Sequence, residues 1–269
     1  MRSMNLLIDA SLPLLVDCRL LFSYKKETLY ANHLNKMNPI LRSIHDFISL
    51  LYPKLCLACS DNLPPFDELI CLKCQYQLPK TGYHLTKENP FTEKFWGRVP
   101  IQTGASMYYF TVGSRMQQLI HQLKYEHKPE IGYKLGKLYG LQLKKQPHFQ
   151  HIDAVVPVPL HPKKRHIRGY NQAEAFGDGL AEGLEVSHYP NALYRKVFTE
   201  TQTKKSREER LENVFQAFAV AQADRLKGQH ILLVDDVLTT GATLEACATK
   251  ILEIEGAKVS LATIAIASD

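Results

Sequence analysis

The most constraining feature of this sequence is a short apolar strand that runs directly into two aspartates, a Thr/Gly-rich turn and a helix. The apolar run 231–234 places Asp235 and Asp236 at its carboxyl end, and the turn 239–243 follows. In open parallel sheets, ligands bind outside the carboxyl ends of the strands. Free N–H groups and the dipole at the start of the next helix favour an anion there. The segment therefore predicts a parallel α/β fold with a phosphate site at one sheet edge.

The polar groups of this segment divide into two chemical kinds. The threonine hydroxyls of the turn can donate hydrogen bonds to a phosphate, and Gly241 permits a close approach of the backbone. Two adjacent carboxylates cannot bind phosphate directly, but they can accept hydrogen bonds from ribose hydroxyls or hold a hydrated Mg²⁺. An ordinary acidic strand end followed by a helix cap is the alternative interpretation.

Strand and helix patterns alternate around this segment. The sequence predicts strands at 101–111, 152–158, 230–234 and 258–267, and helices at 114–124, 129–144, 171–184 and 243–255. Such alternation is typical of a parallel sheet with helices on both faces. Gly256 is the expected residue after the end of the last helix. We therefore predict that residues 101–269 form one α/β domain.

Four of the six cysteines form two close pairs, Cys56/Cys59 and Cys71/Cys74. Each Cys-x-x-Cys pair places two thiolates around one ion, and four thiolates complete the tetrahedron of a structural Zn²⁺ site. A metal also suits so small a segment because it lacks a core of its own. Unliganded thiols or a redox pair are the alternatives. The sequence predicts a compact zinc module.

The N-terminal part of the chain divides at about Met37. Residues 39–52 have the apolar spacing of an amphipathic helix, which we group with the zinc module and a turn-rich linker at 81–100 as a region 37–100. Residues 1–36 have weak periodicity, which fits either a poorly ordered tail or an extension ahead of a start at Met37. No apolar run approaches the roughly 18 residues of a membrane span. We expect no stable membrane insertion and a cytoplasmic location.

A second candidate ligand segment follows the strand 152–158. Its glycine, Gly169, permits a tight approach, and its basic side chains are Lys163, Lys164, Arg165 and Arg168. Arginine can bind phosphate through two parallel hydrogen bonds, whereas lysine acts as a point charge. The net charge of +6 suits anionic ligands. A solvated basic loop is the alternative.

The segment 234–243 resembles the phosphoribosyl pyrophosphate (PRPP) signature of the type I phosphoribosyltransferases. The resemblance implies that Asp235 and Asp236 contact the ribose hydroxyls and that Mg²⁺ accompanies PRPP. It implies a 5′-phosphate contact for the turn residues Thr239, Thr240, Gly241, Ala242 and Thr243. The basic segment after the strand 152–158 is then the pyrophosphate loop.

The order of further motifs is similar to that of the ComF family, from about residue 39 to the C-terminus. These motifs are the paired cysteines, Leu123-Lys124-Tyr125, Val156-Pro157-Val158-Pro159, Arg168-Gly169-Tyr170-Asn171-Gln172 and Thr201-Gln202-Thr203. The resemblance implies a phosphoribosyltransferase-like protein of natural competence and DNA uptake. It implies PRPP or a related compound as ligand, with single-stranded DNA and other competence proteins as partners.

A third polar segment has two functional interpretations. It comprises Thr201, Gln202, Thr203, Lys204, Lys205 and Arg207. It can act as a lid that excludes water from the ligand, or it can neutralise the phosphates of a nucleic acid. An exposed polar loop is the alternative. Tyrosines near the basic segments are candidates for stacking on bases, namely Tyr108, Tyr109, Tyr125 and Tyr170.

Three functions fit these patterns. The first is a competence protein that handles single-stranded DNA, and the second is an active phosphoribosyltransferase that acts on a nucleobase-like acceptor. The third is a PRPP sensor without chemistry. Phosphoribosyl transfer depends largely on positioning and charge stabilisation, and no residue here is required as a general base. The sequence therefore leaves catalysis open.

Overall fold

The computed structural model describes residues 38, 43, 47–49, 51–63, 69–196 and 216–267. The described residues fall into two compact units: those up to 56 together with 60–72, and those at 57–59 together with everything from 73 onward. In the first unit, residues 43, 47–49 and 51 are helical, within the predicted helix 39–52. A tight turn follows, in which the Cys56 N–H donates to the Asp61 carbonyl at 2.8 Å.

The remaining elements follow one another in a mostly alternating order. The strands are β1 Gly104–Phe110, β2 Ala154–Pro157, β3 Ser187–His188, β4 Leu193–Arg195, β5 Phe218–Val220, β6 His230–Leu238 and β7 Lys258–Ala267. The helices are α1 Leu72–Gln77, α2 Pro90–Glu93, α3 Arg115–Tyr125, α4 Pro129–Leu143, α5 Pro162–Arg168, α6 Gln172–Leu184, α7 Ala223–Leu226 and α8 Ala242–Leu252. None of the described helices has both the length and the apolar character needed to cross a membrane.

The central sheet has five strands in the order β1-β7-β6-β2-β3, and every neighbouring pair is parallel. Strands β4 and β5 form a separate antiparallel pair. Because the strands of the main sheet are parallel, the segments that follow β2 and β6 emerge at the same edge. The predicted α/β fold with a parallel sheet and flanking helices is confirmed.

The two faces of the sheet are covered by different helices. Ile231 and Leu233 of β6 belong to the buried cluster that contains Leu244 and Ile251 of α8. The alternating side chain Val234 faces α6, where a Cβ added at Gly177 would lie 3.4 Å from it. Each fully buried aliphatic side chain contributes about 1.5–3 kcal/mol. The sheet is thus a rigid support for the segments at its carboxyl edge.

Helices α4 and α6 pack backbone against backbone. A Cβ added at Gly179 would lie 1.9 Å from the Tyr133 carbonyl oxygen, and one at Gly136 would lie 2.1 Å from the Phe176 carbonyl oxygen. No side chain fits at such distances, so glycine is required at both positions. This helix pair fixes the position of α6, whose first turn begins at the carboxyl edge of the sheet.

Residues 81–100, interpreted from the sequence as a linker, pack against the sheet. The Asn89 side chain caps α2 by accepting from the Phe91 and Thr92 N–H groups at 2.9 and 3.2 Å. It also donates to the Gly104 carbonyl at 2.9 Å. Phe91 and Phe95 are fully buried. The sequence pattern Asn-Pro-Phe-Thr is typical of a turn, and it does not reveal that these two aromatic side chains are buried.

Several element boundaries and the type of one element differ from those that the sequence predicts. Strand β6 continues past Val234 to Leu238, because its pairing with β7 continues through Asp235, which lies opposite Thr263. Helix α8 ends at Leu252, so Gly256, with φ of 72°, lies in the turn beyond it. The basic stretch after β2 is helix α5 instead of a loop.

Candidate functional site

The two aspartates lie near the carboxyl end of β6 and are half-buried. The Asp236 N–H donates to Asp235 Oδ1 at 2.8 Å. Burial, and after it the negative charge of Asp236, raises the pKa of Asp235 to about 7. Lys124 and Arg168 act on that pKa in the opposite direction. The acidic pair therefore lies in a partly desolvated place where cations or hydroxyl donors stabilise its charge.

The turn after β6 leaves the start of α8 open to an anion. Thr239 and Thr240 are exposed, whereas Gly241 is buried. Gly241 has φ of 81°, a left-handed conformation that glycine adopts without strain, and it provides no side-chain cap for α8. Ala242 and Thr243 form the first turn of the helix. Their N–H groups and the helix dipole thus point to the side from which a phosphate would approach.

Arg98 supports this turn from the segment 81–100, and sequence reasoning missed it. Its guanidinium donates to the Thr240 carbonyl at 3.0 Å and forms an ion pair with Glu245 in the first turn of α8. It also lies 5.8 Å above the ring of Phe95. That ring packs under Gly241, where an added Cβ would be 3.1 Å away. No local pattern links Arg98 to a turn 142 residues further on.

The basic residues after β2 lie on the short helix α5. His161 caps the helix by accepting from the Lys163 N–H at 3.2 Å, and Pro162 occupies its first turn. Gly169, with φ of 76°, ends it. Lys163, Lys164 and Arg165 are exposed, and Arg168 is half-buried. Proline at the start and glycine at the end explain why a helix forms where the sequence analysis expects a loop.

Arg168 links α5 to the acidic pair. Its guanidinium donates to Gln172 Oε1 at 2.7 Å and lies 5.4 Å above the ring of Tyr125. The neighbouring Tyr170 hydroxyl donates to the Leu123 carbonyl. Burial raises the pKa of Tyr170 to about 12, and Asp236 adds a smaller upward effect. The structure thus brings Arg168 close to the aspartates, whereas Lys163, Lys164 and Arg165 lie on exposed helix surface.

Lys124 is a further member of this group of charges. Its ammonium lies 3.2 Å from Asp236 Oδ2, and both side chains are mostly buried. The sequence analysis includes this residue only as part of the Leu123-Lys124-Tyr125 motif and assigns it no contact. Its ion pair depends on the end of α3 reaching the carboxyl end of β6, which periodicity does not reveal.

The four paired cysteines form a cluster that fits a metal ion. The sulfur atoms of Cys56, Cys59, Cys71 and Cys74 all lie within 4.8 Å of one another. All four are free of disulfides, and the Cys71 N–H donates to the Cys56 sulfur at 3.2 Å. A backbone donor of this kind favours the thiolate form that metals bind. The predicted metal-binding module is confirmed as a four-sulfur arrangement.

Other candidate residues have different outcomes. The predicted lid at 201–207 lies outside the described residues. Tyr108 is 4% exposed and cannot stack on a base. The Tyr109 hydroxyl donates to that of Tyr83 at 3.0 Å, and Tyr170 is tied to Leu123. Of the four tyrosines proposed for stacking, Tyr125 alone exposes more than half of its surface.

Comparison with known proteins identifies the domain and its relatives. The phosphoribosyl transferase domain family matches residues 172–268. Competence protein F of Haemophilus influenzae is 29% identical over 198 residues, which cover 70% of this chain and 86% of that protein. The DNA utilization protein YhgH of Escherichia coli K12 is 29% identical over 210 residues, 77% of this chain and 88% of that protein.

Competence protein ComFC of Bacillus subtilis is 28% identical over 202 residues, 74% of this chain and 78% of that protein. Among solved structures, glutamine PRPP amidotransferase of B. subtilis aligns with 54% of this chain and 30% of its own, at 16% identity and a TM-score of 0.39. The resemblance inferred from the motifs is therefore confirmed: the chain contains a phosphoribosyl transferase domain and is a homologue of the competence proteins ComF and ComFC and of YhgH.

Proposed function

We propose that this chain binds PRPP, or a closely related phosphoribosyl compound, together with Mg²⁺ at the carboxyl edge of β2 and β6. The observation that carries this proposal is the aspartate pair directly ahead of the open start of α8, with Lys124 and Arg168 beside it. Carboxylates suit ribose hydroxyls and Mg²⁺, and helix N–H groups suit phosphate. The residues present therefore fit both parts of the ligand.

Each part of the ligand has a candidate contact. The 5′-phosphate is assigned to the turn 239–243, and the ribose hydroxyls to Asp235 and Asp236. The pyrophosphate is assigned to Arg168, which is the residue of α5 whose charge acts on Asp235, with Lys163, Lys164 and Arg165 on the exposed surface of α5. Mg²⁺, when bound, supplies positive charge to the pyrophosphate oxygens. Arg98 holds the phosphate turn in place without touching the ligand.

Isothermal titration with PRPP in the presence of MgCl₂ tests this function. We expect binding by the full chain and a loss of about tenfold to a hundredfold for Asp236→Asn, because a charged hydrogen-bond acceptor is removed. Asp224→Asn, at an exposed position of α7, is the matched control and should bind as the unmodified chain does. Absence of binding by the unmodified chain at 1 mM PRPP would contradict the proposal. A dissociation constant of that size corresponds to a binding free energy of about −4 kcal/mol.

Catalysis is a second, separate question. The matching family is described as a phosphoribosyl transferase domain, which favours transfer of ribose 5-phosphate from PRPP to a nucleobase-like acceptor. A pyrophosphate-release assay over a panel of bases tests this alternative. Turnover that Asp236→Asn abolishes would support an active enzyme, whereas binding without turnover for any base would support a sensor or a DNA-handling protein.

Handling of single-stranded DNA is supported by the names of the relatives, which refer to competence and DNA utilization. The exposed helix α5, with its basic side chains, and the exposed ring of Tyr125 are suitable for phosphates and bases. Competence-protein partners and a cytoplasmic location stay predictions from the resemblance.

Fluorescence anisotropy with a labelled single-stranded oligonucleotide tests the DNA interaction. Lys163→Ala combined with Lys164→Ala should weaken binding and reduce its dependence on salt, because each lysine neutralises about one phosphate. Lys144→Ala combined with Lys145→Ala at the end of α4 is a control of equal charge change. If both double variants lose the same affinity, α5 is not the contact surface.

The cysteine cluster is proposed to hold Zn²⁺. Four sulfurs within 4.8 Å fit tetrahedral coordination with bonds of about 2.3 Å and leave no open ligand position. Elemental analysis should find about one zinc per chain and a marked loss in Cys71→Ser. Cys247→Ala, which changes a buried cysteine of α8, should retain the metal. Zinc-free protein with a normal fold would refute this assignment.

A further inference from the structure

We propose that Lys124 is a built-in counter-cation that competes with a divalent metal ion for the Asp236 carboxylate and transfers to a phosphate of the ligand when metal and ligand arrive together. This inference rests on the proposed function and extends it, because it assigns the order of binding to one side chain. Lys124 would thus weaken the binding of the metal ion alone and strengthen the joint binding of metal and ligand.

The contact itself is less hydrated than an ordinary surface ion pair. The Lys124 ammonium lies 3.2 Å from Asp236 Oδ2, and the side chains are 21% and 14% exposed. Exposed pairs contribute little, whereas charges with restricted access to water interact more strongly. A metal ion that approaches Asp236 must therefore displace a cation that already stabilises this carboxylate.

The backbone of Lys124 is fixed while its side chain can move. The Tyr170 hydroxyl donates to the carbonyl of Leu123, and the ring of the next residue, Tyr125, lies under the Arg168 guanidinium. Leu123 is completely buried. A lysine carries its compact charge on a flexible four-carbon stem. The ammonium can therefore reach a second acceptor near Asp236 without any movement of α3.

Charge balance explains why the metal and the ligand should bind together. The group consists of Asp235 and Asp236 and of two cations, Lys124 and Arg168, so its formal charges sum to zero when both aspartates are ionised. A divalent ion alone would leave two excess positive charges in a partly buried place, which is unfavourable. A phosphorylated ligand that enters with the metal compensates this excess and offers new acceptors to Lys124.

The test separates metal binding from ligand binding by using Mn²⁺ and PRPP as separate probes on the full chain. Mn²⁺ binding without PRPP is followed by electron paramagnetic resonance, and PRPP binding is measured at saturating MgCl₂. Lys124→Met should bind Mn²⁺ alone about tenfold more tightly and PRPP about tenfold more weakly. A purely structural role would weaken both affinities or neither. Opposite changes are therefore the signature of the exchange.

Two further variants complete the experiment. Lys124→Arg keeps the charge and should retain weak Mn²⁺ binding. Lys128→Met removes a nearby lysine that pairs with Glu126, and it should change neither affinity by more than about twofold. Unchanged Mn²⁺ affinity in Lys124→Met would overturn the inference. If no variant binds PRPP, the proposed ligand is wrong, whereas the Mn²⁺ comparison still decides whether Lys124 competes with a metal.

Discussion

Two segments meet at the carboxyl edge of the sheet, and they are held in different ways. The turn after β6 is supported by Arg98 and by the buried ring of Phe95 under Gly241. The segment after β2 is an exposed helix, α5, that is anchored mainly at its end by Arg168 and Asn171. The first segment is preorganised by the core, and the second by its attachment points. Preorganisation lowers the free-energy cost of ordering a segment when a ligand binds. Ligand binding should therefore depend on the two segments in different ways, because they are preorganised by different contacts.

Within these two segments, the largest effect is expected from a methyl group added at their left-handed glycines, Gly241 and Gly169. Gly241→Ala should lower the free energy of unfolding by about 2–3 kcal/mol, from left-handed strain and a clash with the Phe95 ring. Gly169→Ala has the same strain but meets only the exposed side chain of His127, so about 1–2 kcal/mol is expected. Urea denaturation measures both values. Equal losses would show that Phe95 does not make the first turn rigid.

The next largest effect is expected for Arg98, which supports the turn after β6. Arg98→Met should weaken PRPP binding about tenfold, because the Thr240 carbonyl and Glu245 lose their donor. Glu245 then places an unbalanced negative charge in the first turn of α8, near the phosphate. Titration calorimetry at two salt concentrations checks this, and the loss should shrink at high salt. Arg225 of α7 stacks on the ring of Tyr189. Its replacement, Arg225→Met, serves as the control and should leave the affinity for PRPP unchanged.

A smaller effect is expected where the second segment is anchored. The Asn171 side chain caps α6 through the Ala173 N–H at 3.2 Å and donates to the Val158 carbonyl at 2.9 Å. Asn171→Ala should cost about 1–2 kcal/mol in unfolding free energy, because both bonds are lost. Thermal denaturation measures the change. Asn171→Asp, which keeps the cap but loses the amide donor, should recover part of it. Full stability in Asn171→Ala would mean that α5 is held elsewhere.

The smallest effect is expected on the exposed side of α5. Arg165 lies 3.5 Å from Glu174, and the pair is substantially accessible to solvent. Glu174→Gln should therefore change the free energy of unfolding by less than about 0.5 kcal/mol. The same urea experiment measures it. A loss as large as that of Asn171→Ala would indicate that the exposed helix is more firmly fixed than its few contacts suggest.

The sequence predicted those parts of the fold that depend on local patterns. The continuous apolar run of β6 and the alternating helices led to a parallel sheet, and Ser114 and Asn171 cap helices that periodicity located. The cysteine spacing predicted the cluster because its ligands lie on two short, nearby stretches. These features need only neighbouring residues to be recognised.

The parts that were missed depend on contacts between distant residues. Arg98 and Thr240 are 142 positions apart, and nothing near either residue signals their hydrogen bond. The ion pair of Lys124 and Asp236 likewise requires the end of α3 to reach the carboxyl end of β6. The aspartates and the turn were predicted as site residues from their local motif. The side chains that stabilise them became visible only in the fold.

The glycine contacts between α4 and α6 reverse the expected effect of glycine-to-alanine substitutions in a helix. Alanine is the most favourable residue in an isolated helix, by about 1 kcal/mol relative to glycine. At Gly136 and Gly179 the same change would force a methyl group into a carbonyl oxygen of the facing helix. An alanine scan, normally the mildest probe of a helix, would here separate the two backbones and displace Asn171 from the sheet. In a catalogue of variants, alanine at these positions should therefore be classed with the most disruptive replacements.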